Sequence, residues 1–265
     1  MNRKLSLLIS YIVLGISLSM ANIALAAAAA NNATVTENRL IPYPSSYIIT
    51  SSGAAAYRGI GNVADSPYYL APDFFSMTST SSLTLLPRYK TYQQTTEITC
   101  GPAAALTVLY HFGDTTWEEY KIANIMGTKP KIGTDTSGMV KFFQSIGWVV
   151  QSSLTATGKD DASFTSVNQF KDFVIANLRR NTPIMVENID WGGHWRVIIG
   201  YDDMGTVTTA DDIIILADPY DTSDHLQDGY VVNSVEKFYY MWFDAHMLPK
   251  SQKQQQWLTA RPLVS

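Results

Sequence analysis

The stretch TYQQTTEITCGPAAALTVLYHFG, residues 91–113, is the segment around which the rest of the chain is organised. It contains the only cysteine of the chain, Cys100, where a polar segment turns into an apolar, alanine-rich run that predicts a helix. Pro102 suits the first turn of such a helix, and Gly113 suits the position just past its end. Cys100 is therefore predicted at a helix N-terminus, where unpaired N–H groups and the positive end of the helix dipole favour a thiolate over a thiol.

A side-chain amide precedes this cysteine. Gln94 lies six positions before Cys100 (100 − 94), in the segment of residues 91–99, which we call the lead-in. If the lead-in is extended, Gln94 is close enough to point at the same space as Cys100. A thiolate, backbone N–H groups and a side-chain amide together make a nucleophile with an oxyanion hole. Gln93 would replace Gln94 in this role if the lead-in were shifted by one residue.

The N-terminus has the pattern of a secretory signal peptide. Arg3 and Lys4 form a basic start, residues 5–20 are apolar, and residues 24–26 (Ala-Leu-Ala) have the small-x-small pattern of a cleavage site. We therefore expect residues 1–26 to be removed as a signal peptide. The mature protein is then expected to be periplasmic or secreted.

The net charge and the single cysteine indicate which classes of binding partner to expect and which roles are open to the thiol. The 19 Lys and Arg against 23 Asp and Glu become 17 − 23 = −6 once residues 1–26 are removed. A mildly acidic chain favours neither a nucleic acid partner nor, after signal cleavage, a membrane partner. With no CxxC motif and no clustered histidines, neither a metal nor a cofactor is expected. A single cysteine in an exported chain cannot form an internal disulfide. It is either a chemically reactive thiol or a small side chain buried in the apolar core.

Composition and periodicity divide the mature chain in two. Residues 27–85 are polar and weakly periodic and are predicted as an irregular N-terminal extension, whether a propeptide, a strap or a linker. In residues 86–265 helical patterns come first and strand patterns follow, which is the order of an α+β domain with a largely antiparallel sheet. The predicted helices start near residues 100, 116 (with a Thr116-x-x-Glu119 capping box), 136, 166 and 234; the predicted strands span 148–154, 183–189, 195–201, 212–217 and 256–263.

A base for Cys100 can be sought among four histidines. His111 lies on the same predicted helix, about 16 Å along the axis at ~1.5 Å per residue, which is too far to contact the thiol. His225 lies in a polar loop and His246 follows the last aromatic helix, so both are interpreted as structural or solvated. His194 follows two glycines and begins an apolar strand, so that its side chain can face a cleft.

A predicted hairpin supplies a carboxylate for this histidine. If the strand after His194 returns as residues 212–217 around a turn near position 206, Asp218 lies directly across from His194, within ~6 Å. Asp202 lies at the far end of the strand, about 26 Å away at ~3.3 Å per residue. The hairpin therefore selects Asp218 to orient the imidazole, and Asp202 and Asp203 are interpreted as turn residues.

Four segments carry a family resemblance: QTTEITCGPAA from Gln94, GHW…GYD from Gly193, ADP from Ala217 and SVEKF from Ser234. Together, over roughly residues 88–245, they resemble the bacteriocin-leader (double-glycine leader) peptidase-like cysteine peptidases of the papain-like superfamily. The resemblance implies a papain-like fold with Cys100 as nucleophile, His194 as base, Asp218 as orienting carboxylate and Gln94 in the oxyanion hole.

The sequence departs from that family in two respects. Transporter membrane and ATP-binding segments are missing from it, so coupled bacteriocin export is not expected. Arg196 stands where an apolar strand residue is usual, beside His194.

The resemblance implies an exported cysteine peptidase or amidase that acts by thiolate acyl transfer on a peptide substrate. Three alternatives stay open. The same residues would serve a phytochelatin-synthase-like enzyme, which passes a γ-glutamylcysteine unit to a second thiol peptide. They would also serve an amidase on cell-wall peptides, or a papain-like module that binds peptides without turnover.

Overall fold

Helices come first and an antiparallel sheet follows, in the α+β order that the sequence predicts. The computed structural model of the chain describes residues 39–49, 52–57, 72–155, 162–222, 226–245, 248–252 and 254–263. They all belong to one unit, Arg39–Ser265. The predicted signal peptide and the predictions for His225 and His246 lie outside these residues. Within these ranges, no helix combines the length and hydrophobicity needed to cross a membrane.

In the described residues one short strand precedes the first α-helix, three α-helices follow, and the other strands and two more α-helices come after them. The helices are α1 Cys100–His111, α2 Glu119–Met126, α3 Thr136–Ser145, α4 Val167–Leu178 and α5 Val235–Tyr240. The strands are β1 Leu83–Leu85, β2 Val149–Ser152, β3 Ile184–Asn188, β4 His194–Asp202, β5 Ile213–Ala217, β6 Tyr230–Ser234 and β7 Gln256–Arg261. Short 3-10 turns lie at Ala54–Tyr57, Ser153–Thr155, Asp190–Gly192 and Lys250–Gln252.

Side-chain caps explain where three of the helices begin. Asp135 accepts a hydrogen bond from Gly138 N at α3, Ser166 from Gln169 N at α4, and Ser234 from Lys237 N at α5. Such a bond satisfies one of the N–H groups that a helix start leaves unpaired. The predicted starts near residues 136, 166 and 234 are confirmed.

The predicted capping box at α2 is wrong. The helix begins at Glu119, its N-cap residue is Glu118, and no side chain caps it. The Thr116 hydroxyl instead donates to Asp114 Oδ1 at 2.6 Å. Glu119 is fully buried, and its carboxylate accepts a hydrogen bond from the segment that leads to Cys100.

β4 is the strand around which the sheet is built. The strand order is β2-β7-β3-β4-β5-β6, with β1 also paired to β4, and every strand pair is antiparallel. One edge of β4 pairs first with β3, from Asn188↔His194 onward, and then with β1, up to Leu83↔Asp202. α1 packs against β4, and Cys100 at the start of α1 lines the same cleft as His194 at the start of β4.

The predicted register of the β4–β5 hairpin is wrong by two residues. Its ladder ends at Val197↔Ala217, so continuing it by one pair places Asp218 opposite Arg196, and His194 is a diagonal neighbour. The connection, residues 203–212, is centred about 1.5 residues later than the predicted turn near position 206, and the register shift between Ile198 and Gly200 takes back one residue of the resulting offset. Diagonal neighbours on one sheet face remain within reach of long side chains, so the predicted proximity survives the shift.

Candidate active site

Cys100 is the first residue of α1. Its N-cap residue, Thr99, makes no side-chain cap bond, so the N–H groups of the first turn are not used by a local side chain. The residues of α1 from Cys100 to Leu109 are buried, which fixes the helix in the core, and Cys100 itself keeps 7% exposure and lines a cleft. The predicted setting of the thiol at a helix N-terminus is therefore present.

His194 and Asp218 are joined by a short hydrogen bond. Asp218 Oδ1 lies 2.6 Å from His194 Nε2, and both side chains are buried. The backbone N–H of Tyr220 donates to the same oxygen at 2.8 Å. Because the imidazole has only two nitrogens, this contact leaves Nδ1 for the Cys100 side of the ring.

The charges of this group favour a protonated imidazole beside an ionised carboxylate. Burial alone would lower the pKa of His194, but the charge of Asp218, its hydrogen bond and the adjacent Cys100 thiol raise it to about 10. Burial alone would raise the pKa of Asp218, but His194, Arg196 and the Tyr220 N–H hold it below its usual value. An ionised Asp218 must accept from Nε2–H, which fixes the orientation of the ring.

Arg196, the departure from the family pattern, is a direct neighbour of the carboxylate. Its Nη1 lies 3.7 Å from Asp218 Oδ2, while its Nη2 donates to Asn188 Oδ1 at 2.9 Å and contacts Asp190. The side chain is buried, and burial lowers its pKa while Asp218 raises it. Sequence reasoning missed this role because the contact follows from the shifted register, which places residue 196 next to 218.

The two glutamines of the lead-in point to different places. Gln94 lines the cleft with Cys100, and its Nε2 donates to Thr96 O at 2.7 Å while its buried Oε1 has no hydrogen-bond partner. Gln93 Nε2 donates to the backbone oxygen of Asp218 at 2.8 Å, and its Oε1 accepts from Asp221 N at 3.0 Å. Gln93 thus supports the loop after β5, and only Gln94 is placed to face the thiol.

Glu119 holds the lead-in in place, a role that the sequence does not reveal. Its carboxylate accepts from Thr95 N at 3.0 Å, the Thr95 hydroxyl at 2.6 Å and the Tyr92 hydroxyl at 3.0 Å. Burial raises the pKa of Glu119, and the hydrogen bonds from Thr95 oppose that rise. Its only local signal was a misread capping pattern.

A second buried carboxyl lies near the thiol and the imidazole. Glu187 on β3 is buried, and its Oε2 has no hydrogen-bond partner. Burial, then the charges of Asp244 and Cys100, raise its pKa well above the usual value, which favours the uncharged form. A neutral Glu187 adds no negative charge beside Cys100.

Cys100, His194 and Gln94 line one cleft of about 260 Å³. Trp191 and Tyr220 form one wall, with ring centroids 5.0 Å apart, and the Trp191 ring lies edge-on to His194 at 5.0 Å. Trp191 has φ +52°, which is unusual for a bulky residue, and it is 63% exposed. The sequence analysis noted only the two glycines before His194, but the segment is a 3-10 turn that presents an indole to the cleft.

The remaining predicted residues lie away from this group. His111 Nε2 is 3.3 Å from Asn181 O and its ring stacks on Tyr89, so this histidine packs away from the thiol, as its distance along the helix predicts. Asp202 and Asp203 accept from Met204 N and Gly205 N, as turn residues do. In the part of the chain that the structure describes, no group of three or more His, Cys, Asp or Glu is arranged to hold a metal.

Comparison with known proteins assigns the chain to a family. The model described as "Peptidase_C39 like family" matches residues 87–245, which is 159 (245 − 87 + 1) of the 265 residues. This protein belongs to the Peptidase_C39 like family. The matched range includes all four residues predicted for the site. No curated protein matches the sequence significantly.

Solved structures similar to this family member include peptidase domains of ComA. The peptidase domain of Streptococcus ComA, a bi-functional ABC transporter involved in a quorum sensing pathway, is 19% identical, with a TM-score of 0.43 over 66% of this chain and 99% of that one. The peptidase domain of Streptococcus mutans ComA is 16% identical, with a TM-score of 0.34 over 66% of this chain and 100% of that one. The same domain with a small-molecule inhibitor gives the same values.

Proposed function

We propose that this family member is an exported cysteine peptidase or amidase that cleaves a peptide substrate by thiolate acyl transfer. The observation that carries the proposal is the arrangement around His194. Its Nε2 bonds to Asp218, its other side faces Cys100, and the cleft lined by Cys100 and His194 opens to a substrate.

In the first half-reaction the Cys100 sulfur attacks the substrate carbonyl carbon after His194 has taken the thiol proton. The C–N bond then breaks, the amine leaves with the proton from His194, and the acyl group stays on sulfur as a thioester. In the second half-reaction His194 takes a proton from water and the hydroxide attacks the thioester carbon. The C–S bond then breaks, the carboxylic acid leaves, and the proton on His194 returns to the sulfur, which restores the thiol. Asp218 fixes the tautomer and supports the imidazolium in both halves.

The oxyanion is held by the Cys100 N–H and by Gln94. The amide nitrogen of Gln94 has two N–H donors, and only one is used by Thr96 O, which leaves the second for the substrate oxygen. Each such donor stabilises the transition state by about 3 kcal/mol in comparable sites. Gln93, whose amide is committed to the loop after β5, is not part of this hole.

The test is turnover of a defined peptide library, with product masses read at increasing times, by the wild-type protein and by Cys100→Ala. Cleaved peptides from the wild type alone support a hydrolase. Added glutathione separates the transferase alternative, because a peptide extended by a thiol peptide, in place of hydrolysis, would contradict our proposal. Saturable binding without any product would also contradict it and favour the binding module.

We propose export from the signal pattern of residues 1–26, in which Arg3 and Lys4 precede an apolar run and an Ala-Leu-Ala site. Mass spectrometry of the protein expressed with its full N-terminus tests this proposal. A periplasmic or secreted product that begins near Ala27 is expected. A product that stays in the cytoplasm and retains residues 1–26 would contradict it.

A further inference from the structure

Residues 52–57 contact the segment that leads to Cys100, and we name these residues the strap. The strap lies outside the family-matched range 87–245. Ala55 N donates to Gln94 O at 2.9 Å, and Gly53 N donates to Glu97 Oε1 at 2.8 Å. Gly53, Ala54 and Ala55 are buried, so the strap is packed against the rest of the unit.

The strap approaches the lead-in so closely that only glycine fits at one position. A Cβ on Gly53 would lie 2.5 Å from Thr95 C and Thr96 N and 2.8 Å from Gln94 O. These are backbone atoms, which cannot rotate away as a flexible side chain would. Gly53 also has φ +75°, a conformation that favours glycine.

The strap also connects the lead-in to the loop that follows Asp218. Glu97, which accepts from Gly53 N, accepts from the Tyr220 hydroxyl at 3.2 and 3.1 Å. Gln227 Nε2 donates to Ala54 O at 2.9 Å. Gln94 O accepts from Ala55 N of the strap, and Gln94 N donates to Pro219 O of that loop at 2.8 Å. The backbone of Gln94 is therefore held both by the strap and by the loop.

Backbone placement matters at Gln94 because its side chain has little support of its own. The Thr96 carbonyl holds Nε2, whereas the buried Oε1 has no partner. A shift of the Gln94 backbone would therefore move the amide relative to the thiol. A misplacement of ~1 Å of a positioning group can cost on the order of 10²-fold in rate.

We infer that the strap is a positioning element of the active site, which sets Gln94 against Cys100 from outside the family-matched range. The inference rests on the proposed function, because it assigns the strap to the oxyanion hole of that reaction. It predicts that the strap is required for turnover and is not a propeptide whose removal activates the enzyme.

The test compares two alanine substitutions at glycines of the same conformation. Gly53→Ala places a Cβ against the lead-in, whereas Gly205→Ala, at φ +70°, places one in open space. Both carry the cost of a positive φ, so their difference isolates the contact. We expect Gly53→Ala to lower kcat by about tenfold to hundredfold with little change in KM, and Gly205→Ala to change kcat by less than about twofold.

A double-mutant cycle decides whether the strap acts through Gln94. In a Gln94→Ala background, Gly53→Ala is expected to have no further effect on kcat. An equal loss of kcat in both backgrounds, or equal effects of Gly53→Ala and Gly205→Ala, would overturn the inference. If Gly53→Ala does not fold, Glu97→Ala replaces it in the cycle, because Glu97 is exposed and its carboxylate accepts the hydrogen bond from Gly53 N. Glu97→Ala is then expected to lower kcat in wild type and to have no further effect in the Gln94→Ala background.

Hydrogen exchange tests the strap without any substrate. The Gln94 amide, protected by Pro219 O, is expected to exchange faster in Gly53→Ala, or in Glu97→Ala if Gly53→Ala does not fold, than in wild type or Gly205→Ala. If wild type cleaves no peptide, the proposed function fails, and this measurement still judges the strap as a positioning element. Unchanged exchange in the variant tested would contradict the inference.

Discussion

At the scale of single residues, the ionisation of His194 depends on groups that are distant in sequence. Burial lowers the pKa of His194, but the charge and the hydrogen bond of Asp218, together with the Cys100 thiol, raise it to about 10. Arg196 and the Tyr220 N–H in turn keep Asp218 ionised. The imidazolium is therefore favoured by a chain of contacts, and each contact can be removed separately.

Asp218→Asn is expected to lower kcat by roughly 10³- to 10⁴-fold, because the amide neither fixes the tautomer nor carries a charge. Without that charge the pKa of His194 falls, so the alkaline limb of the kcat/KM profile moves to lower pH. Steady-state kinetics across pH measure both effects. Asp203→Asn, at a turn carboxylate, is the control and should leave the profile unchanged. An unshifted alkaline limb in Asp218→Asn would contradict this account.

The raised pKa of His194 also makes folding stability depend on pH. The group has a pKa of about 10 in the folded protein against 6.5 ordinarily, so the folded state binds this proton more tightly. Its stabilisation is complete below pH 6.5 and is lost as the pH rises through about 10. We expect the free energy of unfolding, from urea titrations, to fall with pH more steeply in wild type than in Asp218→Asn. Parallel pH dependences would contradict this expectation.

At the scale of elements, α2 and the lead-in to α1 are joined by one buried carboxylate. Glu119 opens α2 and receives three hydrogen bonds from Tyr92 and Thr95. Because the lead-in has no regular secondary structure, these bonds replace the ladder that would otherwise fix it.

Glu119→Ala is expected to destabilise the protein by about 3 kcal/mol or more, because it leaves three buried donors without their acceptor. Glu118→Ala is a matched control at the adjacent residue, since Glu118 makes only a half-exposed pair with Lys121. The control should cost no more than about 0.5 kcal/mol. Urea denaturation measures both, and equal costs would contradict the role assigned to Glu119.

The elements that the sequence predicts are those with strong local signals. The starts of α3, α4 and α5 and the apolar runs of β3, β4, β5 and β7 were predicted, and side-chain caps at Asp135, Ser166 and Ser234 lie at those three starts. β1 was missed because three residues carry too little pattern. β6 was missed because the cap of α5, Ser234, is also its last residue.

The site was predicted where spacing along the chain decides it, and missed where tertiary contacts do. The six-residue spacing of Gln94 and Cys100 is local, and the structure places both at one cleft. The pairing of His194 with Asp218 was inferred from a register that proved wrong, although the contact is present. Arg196 and Trp191 had no local signal, because their positions depend on the hairpin register and a strained turn.

At the scale of the whole molecule, the sheet is continuous only when the C-terminal strand β7 is in place. β7 inserts between β2 and β3, although it is the last strand in sequence. β3 in turn pairs with the first residues of β4, where His194 lies. The C-terminal strand therefore supports the strand that carries the histidine.

Leu258→Ala tests this closure. Leu258 on β7 is fully buried, and its truncation is expected to cost about 2–5 kcal/mol of stability. Leu263→Ala, at a position 72% exposed just after the strand, is the matched control and should change stability by less than about 0.5 kcal/mol. Thermal and urea unfolding measure both variants. A similar small effect at both positions would contradict a central role for β7.

Alkylation of Cys100 by iodoacetamide across pH tests most directly whether Cys100 is a nucleophile activated by His194. An isolated thiol reacts appreciably only near its ordinary pKa of about 8.5. We predict that Cys100 reacts rapidly well below pH 8, and that His194→Ala slows this reaction while His111→Ala does not. A thiol that stays unreactive until pH 8 or above, or one that His194→Ala leaves unchanged, would contradict the account.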